Sequence, residues 1–533
     1  MVALSERKYN QILLFRIRHE DDIALLNNPE SEWFNILCDF PWEEYREHGA
    51  AYYEALYEFN LNEEKKRKER KAKVRGSNVE RKDEARERLM FDRDTMVKLS
   101  KEKSIIFKQE FSEATAVKVE PASLSPGIVP ERSGGKKAKC FFSLFKSFIG
   151  VTLMGFACEP KTVYQLLCSN PSFVRACGFA QKYTRDEYCH LHIPHPRKLE
   201  QFDQIMREYG LWDKIKIEEV RHNLSTGLIK KEENLVGDTT HYEAYSGFET
   251  VKYKDSNGKD QKKSQSKVTK NCRCSDRENC EHEWELSDDG AGTIVKSPTR
   301  IYWGHKAGVL GFPEQGIALD MVAISDGATF DGETLYPHVE QLFGNIPEIQ
   351  PSIKRVLYDS ACDNKDLKDK FQEELSIELK ASLNPRRKKE VTEDLPRGIS
   401  KVTPYGSVIC MGGHELDYQG VRKKDEKFIY QSPKDGQGAP VCFSCQHQDK
   451  CCPNAVTGRT VNISFDLLPH IDANDPPMAK RFKAIMSKRT SVERMIKQLK
   501  CDLGDSRLSK RGNDSFQAYL DKTMIAYHIL LRN

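Results

Sequence analysis

The sequence predicts an α/β protein built on a mixed sheet and preceded by helical regions, and three observations carry that expectation. From Glu233 onward, short apolar runs of strand length alternate with amphipathic runs of helix length. Two of the runs, "TRIYWGHKAGVLGF" and "GIALDMVAIS", are spaced as a hairpin, whereas the later ones are separated by helical patterns. Before Glu233 helical periodicity prevails, as in "HIPHPRKLEQFDQIMREYG", where Leu199, Phe202, Ile205 and Met206 share one face. At 533 residues the chain is too long for one core, so two or three domains are expected.

In chain order, residues 1–112 read as a helical, charged N-terminal region. Aromatic anchors in "PWEEYREHGAAYYEALYEF" give way to a stretch dense in both charge signs. Residues 113–139, rich in Pro, Ser and Gly, read as a linker. Residues 140–230 read as a compact helical domain. Its first run, "CFFSLFKSFIGVTLMGFACEP", carries Lys146 and is short for a membrane span, so a buried helix is expected. The mixed sheet belongs to residues 231–533. "NLVGDTT" reads as a brief first strand ending at Asp238, followed by the hairpin strands and a helix at "DGETLYPHVEQLFGN". "SIKRVLYDSACDN" reads as a fourth strand ending near Asp359, then "DLKDKFQEEL" as a helix and "SIELKASLNPRR" as a fifth strand. Insertions are expected at about 240–298 and 385–477, and "DSFQAYLDKTMIAYHILL" reads as a closing helix.

Composition excludes little. Hydrophobic content of 38% suffices for globular domains, and a formal net charge of +4 permits local nucleic-acid patches without requiring them. The first residues mix acids and bases without the apolar core of a signal peptide, so a reducing cytoplasm is expected and no membrane. There the 16 cysteines suggest metal ligands or buried thiols rather than a disulfide framework. No Walker-type phosphate loop and no Ser-His-Asp or Cys-His nucleophile motif is evident.

Two predicted strands end alike, in "LVGDTT" and "LYDSAC", each placing one Asp after an apolar run. Strand ends are where sites form in open α/β sheets, although Asp is also a common turn former. A third carboxylate stands in "KRTSVERMIKQLK", where Arg489, Glu493, Lys497 and Lys500 share a helical face. Its bland reading is a solvated ion-pair face. Its chemical reading is a site for phosphodiester cleavage or transfer. Three carboxylates brought together would repel by about 4 kcal/mol per pair at ~4 Å and an effective dielectric near 20. Divalent cations resolve that conflict, since carboxylate oxygens are the hard ligands Mg²⁺ prefers.

With its order of strand-Asp, strand-Asp, helix-Glu, the chain resembles the DDE transposases of bacterial insertion sequences. Arg489, Glu493 and Lys500 match the last three positions of the signature Tyr-x2-Arg-x3-Glu-x6-Lys, with Met486 at the first. "YWGHKAGVL" is similar to the second-strand Gly-Tyr-Lys motif, with His305 in place of Tyr. The resemblance covers roughly residues 140–531. It implies a ribonuclease-H-like catalytic fold in which Asp238, Asp359 and Glu493 bind catalytic Mg²⁺ (or Mn²⁺). It implies that Arg489 and Lys500 contact phosphates beside the scissile bond. The helical face adds Lys497, for which an i,i+4 pair with Glu493 is the leading role. Arg386 and Arg387 follow the fifth strand, where they meet phosphates or form a solvated basic turn.

Each insertion carries a cysteine cluster. Cys272, Cys274, Cys280 and His282 form a candidate zinc set of unusually tight spacing, against the alternative of reduced thiols. Cys410, Cys442, Cys445 and Cys451 form a second candidate set, for structural zinc holding a small β-rich subdomain. Cys452, His414 and His447 are alternative ligands. The function expected is a transposase that cleaves and joins the ends of an insertion sequence. Its partners would be double-stranded DNA, both terminal inverted repeats and target, and a second copy of the chain. The 140–230 region is expected to bind the DNA ends. The rivals are a metal-dependent nuclease of the same fold and a non-catalytic DNA-binding protein derived from a transposase.

Overall fold

A computed structural model describes residues 32–74, 140–183, 189–191, 193–246, 248–254, 260–269, 281, 283, 285–288, 290–297, 300–324, 326–384, 389–504, 507–508 and 510–533. Arg386, Arg387, Cys272, Cys274, Cys280, His282 and the 113–139 linker lie outside the described residues.

The N-terminal half is helical: α1 (Glu32–Asp39), α2 (Arg46–Val74), α3 (Phe141–Leu153), α4 (Pro160–Ser169), α5 (Pro171–Ala176), a small hairpin β1 (Ala180–Tyr183) and β2 (Cys189–Leu191), α6 (Pro196–Glu208) and α7 (Leu211–Ser225). Aromatic side chains fill its core, among them Trp42, Phe141, Phe145, Phe148, Phe202 and Trp212. The apolar run from residue 140 forms α3, which is buried nearly all round, as a helix without a polar face must be. No helix among the described residues is long and apolar enough to cross a membrane. This core draws on both helical regions distinguished in the sequence, since residues 34–55 and 140–215 share it.

The second half is organised by a six-stranded mixed sheet. Its strands are β3 (Asn234–Glu243), β8 (Gly292–Ser297), β9 (Arg300–Phe312), β10 (Ile317–Ile324), β11 (Arg355–Tyr358) and β12 (Glu378–Ala381). The order is β10-β9-β3-β11-β12, with β8 pairing the start of β9. β9 is antiparallel to both β10 and β3, whereas β3, β11 and β12 run parallel. Between β3 and β8 the chain forms β4 (Phe248–Lys254) with β5 (Asp260–Ser266), and β6 (Val268–Thr269) with β7 (Glu285–Leu286).

Strand alternation divides the sheet into two buried faces. Leu235, Val356 and Tyr358 pack beneath α8 (Asp331–Asn345) and α9 (Lys365–Leu375), whereas Val236, Val309 and Leu357 face the opposite core. That second core receives Val492, Met495 and Leu499 from the helical run 480–502. It also receives Phe516, Leu520 and Met524 from the last helix, Asn513–Leu531. The last helix turns Ala518, Ile525 and Ile529 into the aromatic helical core, so it is apolar on both sides and joins the two halves.

Two local expectations are corrected. β3 does not end at Asp238: β9 continues to pair it as far as Glu243, opposite Gly304. The expected single helix around Glu493 is a run of four pieces: α10 (Lys480–Met486), a 3₁₀ turn (Ser487–Thr490), α11 (Ser491–Lys497) and a π-helical turn (Gln498–Asp502). Between β12 and α10 lies a separate five-stranded antiparallel sheet. Its strands are β13 (Ile399–Val402), β14 (Val408–Cys410), β15 (Glu415–Arg422), β16 (Lys427–Gln431) and β17 (Thr460–Ser464), around Val402, Phe428, Tyr430 and Ile463.

Candidate functional site

Strand register brings two of the three carboxylates side by side. In the parallel pair, Arg355 is opposite Asn234 and Leu357 opposite Val236, a constant offset (355 − 234 = 121). The pairing ends at Leu357–Val236, and carrying its offset two residues on (359 − 238 = 121) brings Asp359, just past the end of β11, beside Asp238, on strands that lie about 4.8 Å apart. By alternation Asp238 shares the face of Val236, and Asp359 that of Leu357, which is the face covered by α11. Asp238 is one-fifth exposed and sits within β3, whereas Asp359 follows the last residue of β11. The Oδ1 atom of Asp359 accepts from the Ala361 N–H at 2.9 Å, capping a short 3₁₀ turn.

Glu493 sits on α11 above that face, and the core residues Val492 and Met495 beside it fix the helix to the sheet. Its side chain is 62% exposed and paired with Arg489 at 3.5 Å, an i,i+4 contact. The same guanidinium donates from Nη1 to Asp238 Oδ2 at 3.1 Å. Arg489 therefore links the first acid to the third. Among the described residues the ion pair of Glu493 runs back to Arg489 rather than on to Lys497, whose side chain is exposed. Lys500 turns elsewhere: its ammonium donates to the His241 carbonyl of β3 and lies 5.0 Å from the Tyr242 ring centre.

Electrostatics agree with the register. Burial raises the pKa of Asp238 above its ordinary value and the charge of Asp359 raises it further, while the Thr239 N–H and Arg489 oppose the rise. The Cys362 thiol, raised first by its own burial, is pushed up further by Asp359, Asp331 and Asp238. A further acid near these strand ends was not read from the sequence and lies toward the other face of the sheet, and among the described residues no three such side chains are already arranged to hold a metal ion. Asp331, first residue of α8, accepts from Thr239 Oγ1 at 3.0 Å and pairs with Lys306 at 2.8 Å. Its position at a helix start is an ordinary place for an acid, so only the strand-then-acid pattern "ISDGATFD" could have suggested it. His305, expected at the Tyr position of the Gly-Tyr-Lys motif, is wholly buried with Nε2 3.0 Å from Asp288.

The second cysteine cluster does come together. Cys410, Cys442, Cys445, Cys451 and Cys452 line one small cavity at the foot of the five-stranded sheet, with His414 and His447. Among the described residues, however, no three His, Cys, Asp or Glu side chains are already arranged as a set that could hold a metal ion.

No family model and no curated protein matches the chain. Among solved structures it is similar to piggyBac transposase in a synaptic complex with hairpin DNA, over 80% of this chain and 74% of that one. Identity is 11% and the TM-score 0.30, a likeness too loose to transfer the role of any residue.

Proposed function

We propose that this chain is a DNA transposase of the DDE kind, cleaving and rejoining phosphodiester bonds at the ends of a mobile element. What supports the reading is the parallel β3–β11 register, which carried past its last pair puts Asp359 beside Asp238, together with the Glu493 helix packed on that face of the sheet. An antiparallel three-strand meander followed by two parallel strands supports a ribonuclease-H-like description of the sheet.

The donors suit Mg²⁺ or Mn²⁺ in kind, being hard carboxylate oxygens at a partly open edge. Asp238, Asp359 and Glu493 would hold the ions, once Arg489 is drawn off the acids. Bound there, such ions supply Lewis-acid activation of the attacking oxygen and neutralise charge on the leaving one. Arg489, released toward solvent, is within the same edge and pairs with phosphate as readily as with carboxylate, through its planar fork. Asp331 and Lys306 act from the far face, tying Thr239 and so the backbone that carries Asp238. In the reaction one strand is cut by in-line attack of water on phosphorus, releasing a 3′-hydroxyl. That hydroxyl then attacks a target phosphate, so one P–O bond is made for each one broken. Two element ends would require two copies of the chain.

A second metal proposal concerns the thiols: Cys410, Cys442, Cys445 and Cys451 would hold a structural Zn²⁺ that ties the β13–β17 sheet together. Cys452 and the two histidines remain alternative ligands in that cavity.

The test is incubation of the protein with end-containing duplex and Mg²⁺ or Mn²⁺, beside Asp359→Ala. Cleavage and joined products from the wild type alone, with DNA binding retained by the variant, are expected. Nicks without joined ends would make it a nuclease, and equal cleavage by both proteins would remove Asp359 from the chemistry.

A further inference from the structure

Four cations are set out along β3 in the same order as the chain. Arg489 meets Asp238, and Lys500 meets the carbonyl of His241. Arg507 meets Glu243 at 3.3 Å, with the Arg507 side chain 78% exposed. Arg511 closes the row, its Nε 3.4 Å from the Tyr245 carbonyl and its guanidinium 5.9 Å from the Tyr245 ring centre. Arg489, Lys500, Arg507 and Arg511 thus set a cation beside residues 238, 241, 243 and 245 in turn. At ~3.3 Å per residue the five strand steps from 238 to 243 cover about 17 Å, and Tyr245 follows in the bend just beyond the end of β3.

The far end opens into a groove lined by Arg207, Lys510, Arg511, Ser515 and Tyr245, with Glu200 on one wall. Tyr245 is 60% exposed there, a large ring left at the surface. Lys510 pairs at 2.5 Å with Asp203, a carboxylate that also holds Lys522. A row of cations ending on an exposed ring suits a polyanion whose units also have flat faces, which is the chemistry of a nucleic-acid strand.

We infer that this row is the track on which one strand of the DNA substrate leaves the carboxylate edge, running about 17 Å to the end of β3 and ending against Tyr245 and Arg511. The inference rests on the DNA-transposase reading and adds to it a direction and a length for the bound strand.

The test measures binding without metal, so that it does not depend on catalysis. Full-length wild type, Arg507→Gln/Arg511→Gln and a surface control, Lys424→Gln/Lys427→Gln, are titrated with a fluorescent 30-base-pair duplex over a range of salt. The track predicts that the slope of log affinity against log salt falls by about 2 in the first variant, near 0.9 for each phosphate no longer neutralised. The control keeps the wild-type slope. Tyr245→Ala loses affinity several-fold at unchanged slope, and Tyr245→Phe restores it. An unchanged slope in the arginine variant, or an equal fall in the control, overturns the track while leaving the carboxylate chemistry standing. Failure of the wild type to bind any duplex overturns both. The substituted side chains are exposed, and matched thermal midpoints exclude misfolding as the cause.

Discussion

Arg489 donates to Asp238 over 3.1 Å although 251 residues of sequence separate them. The other nitrogen of its guanidinium reaches Glu493 at 3.5 Å, so one side chain neutralises two of the three proposed metal ligands. A divalent cation entering that edge must therefore displace a resident positive charge. Arg489→Ala is expected to bind Mn²⁺ about tenfold more tightly. That factor is a Coulombic gain of a few kcal/mol at close range, reduced by the exposure of Glu493. Electron paramagnetic resonance of free Mn²⁺ measures it directly. Unchanged or weaker affinity would mean that the arginine does not compete with metal.

How much of this was legible in the sequence follows from which interactions are local. The strands 300–312, 317–324 and 355–358 and the helix 331–345 announced themselves by apolar runs and periodicity. The end of β3 did not, because its length is set by β9 pairing it to Glu243, a strand some sixty residues away. Glu493 was placed correctly on a helix. The turns on either side of it, 3₁₀ before and π after, depend on how that helix seats on the sheet. Asp331 was missed because an acid at a helix N-terminus needs no further reason. The placement of Asp359 beside Asp238 was not readable at all, since register belongs to strand pairing.

The last helix, α12 (Asn513–Leu531), is bound to the helical half by buried charge as well as by apolar contact. Lys522, 3% exposed, pairs with Asp203 at 2.7 Å. Replacing Asp203 by Ala leaves that ammonium without its partner inside the protein. A loss of about 3–5 kcal/mol is expected, as for other broken buried pairs. Urea unfolding gives the value. The double change Asp203→Leu/Lys522→Met should recover most of it, because apolar groups of similar size leave no charge stranded. A double variant as unstable as the single one would assign the loss to packing.

A second buried group on α12 sets a pH dependence. Lys216 faces three acids, Asp213, Asp320 and Asp521, within 3.1 Å. Burial first, and then the like charge of Asp213, raises the Asp521 carboxyl to about 6, against the pull of Lys216. The unfolded value is near 3.9. Between roughly pH 4 and 6 the folded state therefore holds a proton that the unfolded state releases, and stability falls as pH rises through that window. Asp521→Asn should lose this part of the slope. Urea midpoints at pH 4.5 and pH 7 for wild type and variant test it, because other titrating groups cancel in the difference. Parallel profiles would show that Asp521 is ionised throughout.

The thiol cavity gives the remaining test. Burial raises Cys451 and lifts Cys452 to about 12, each reinforced by the Cys442 thiol nearby, so the surroundings favour the neutral thiol. A soft cation reverses that preference by taking the thiolate as ligand. The sheet they close has a small core of its own, and five cysteines around one cavity are an unusual concentration of reactive groups to leave unbound. Protein purified without chelator should carry about one zinc per chain by elemental analysis, and Cys445→Ser should carry far less. Stripping the metal should raise hydrogen exchange in β13–β17 and leave the six-stranded sheet unchanged, since the two sheets have separate cores. A chain that is metal-free as purified, takes up no added Zn²⁺, and exchanges identically with and without it would return these cysteines to the status of buried thiols.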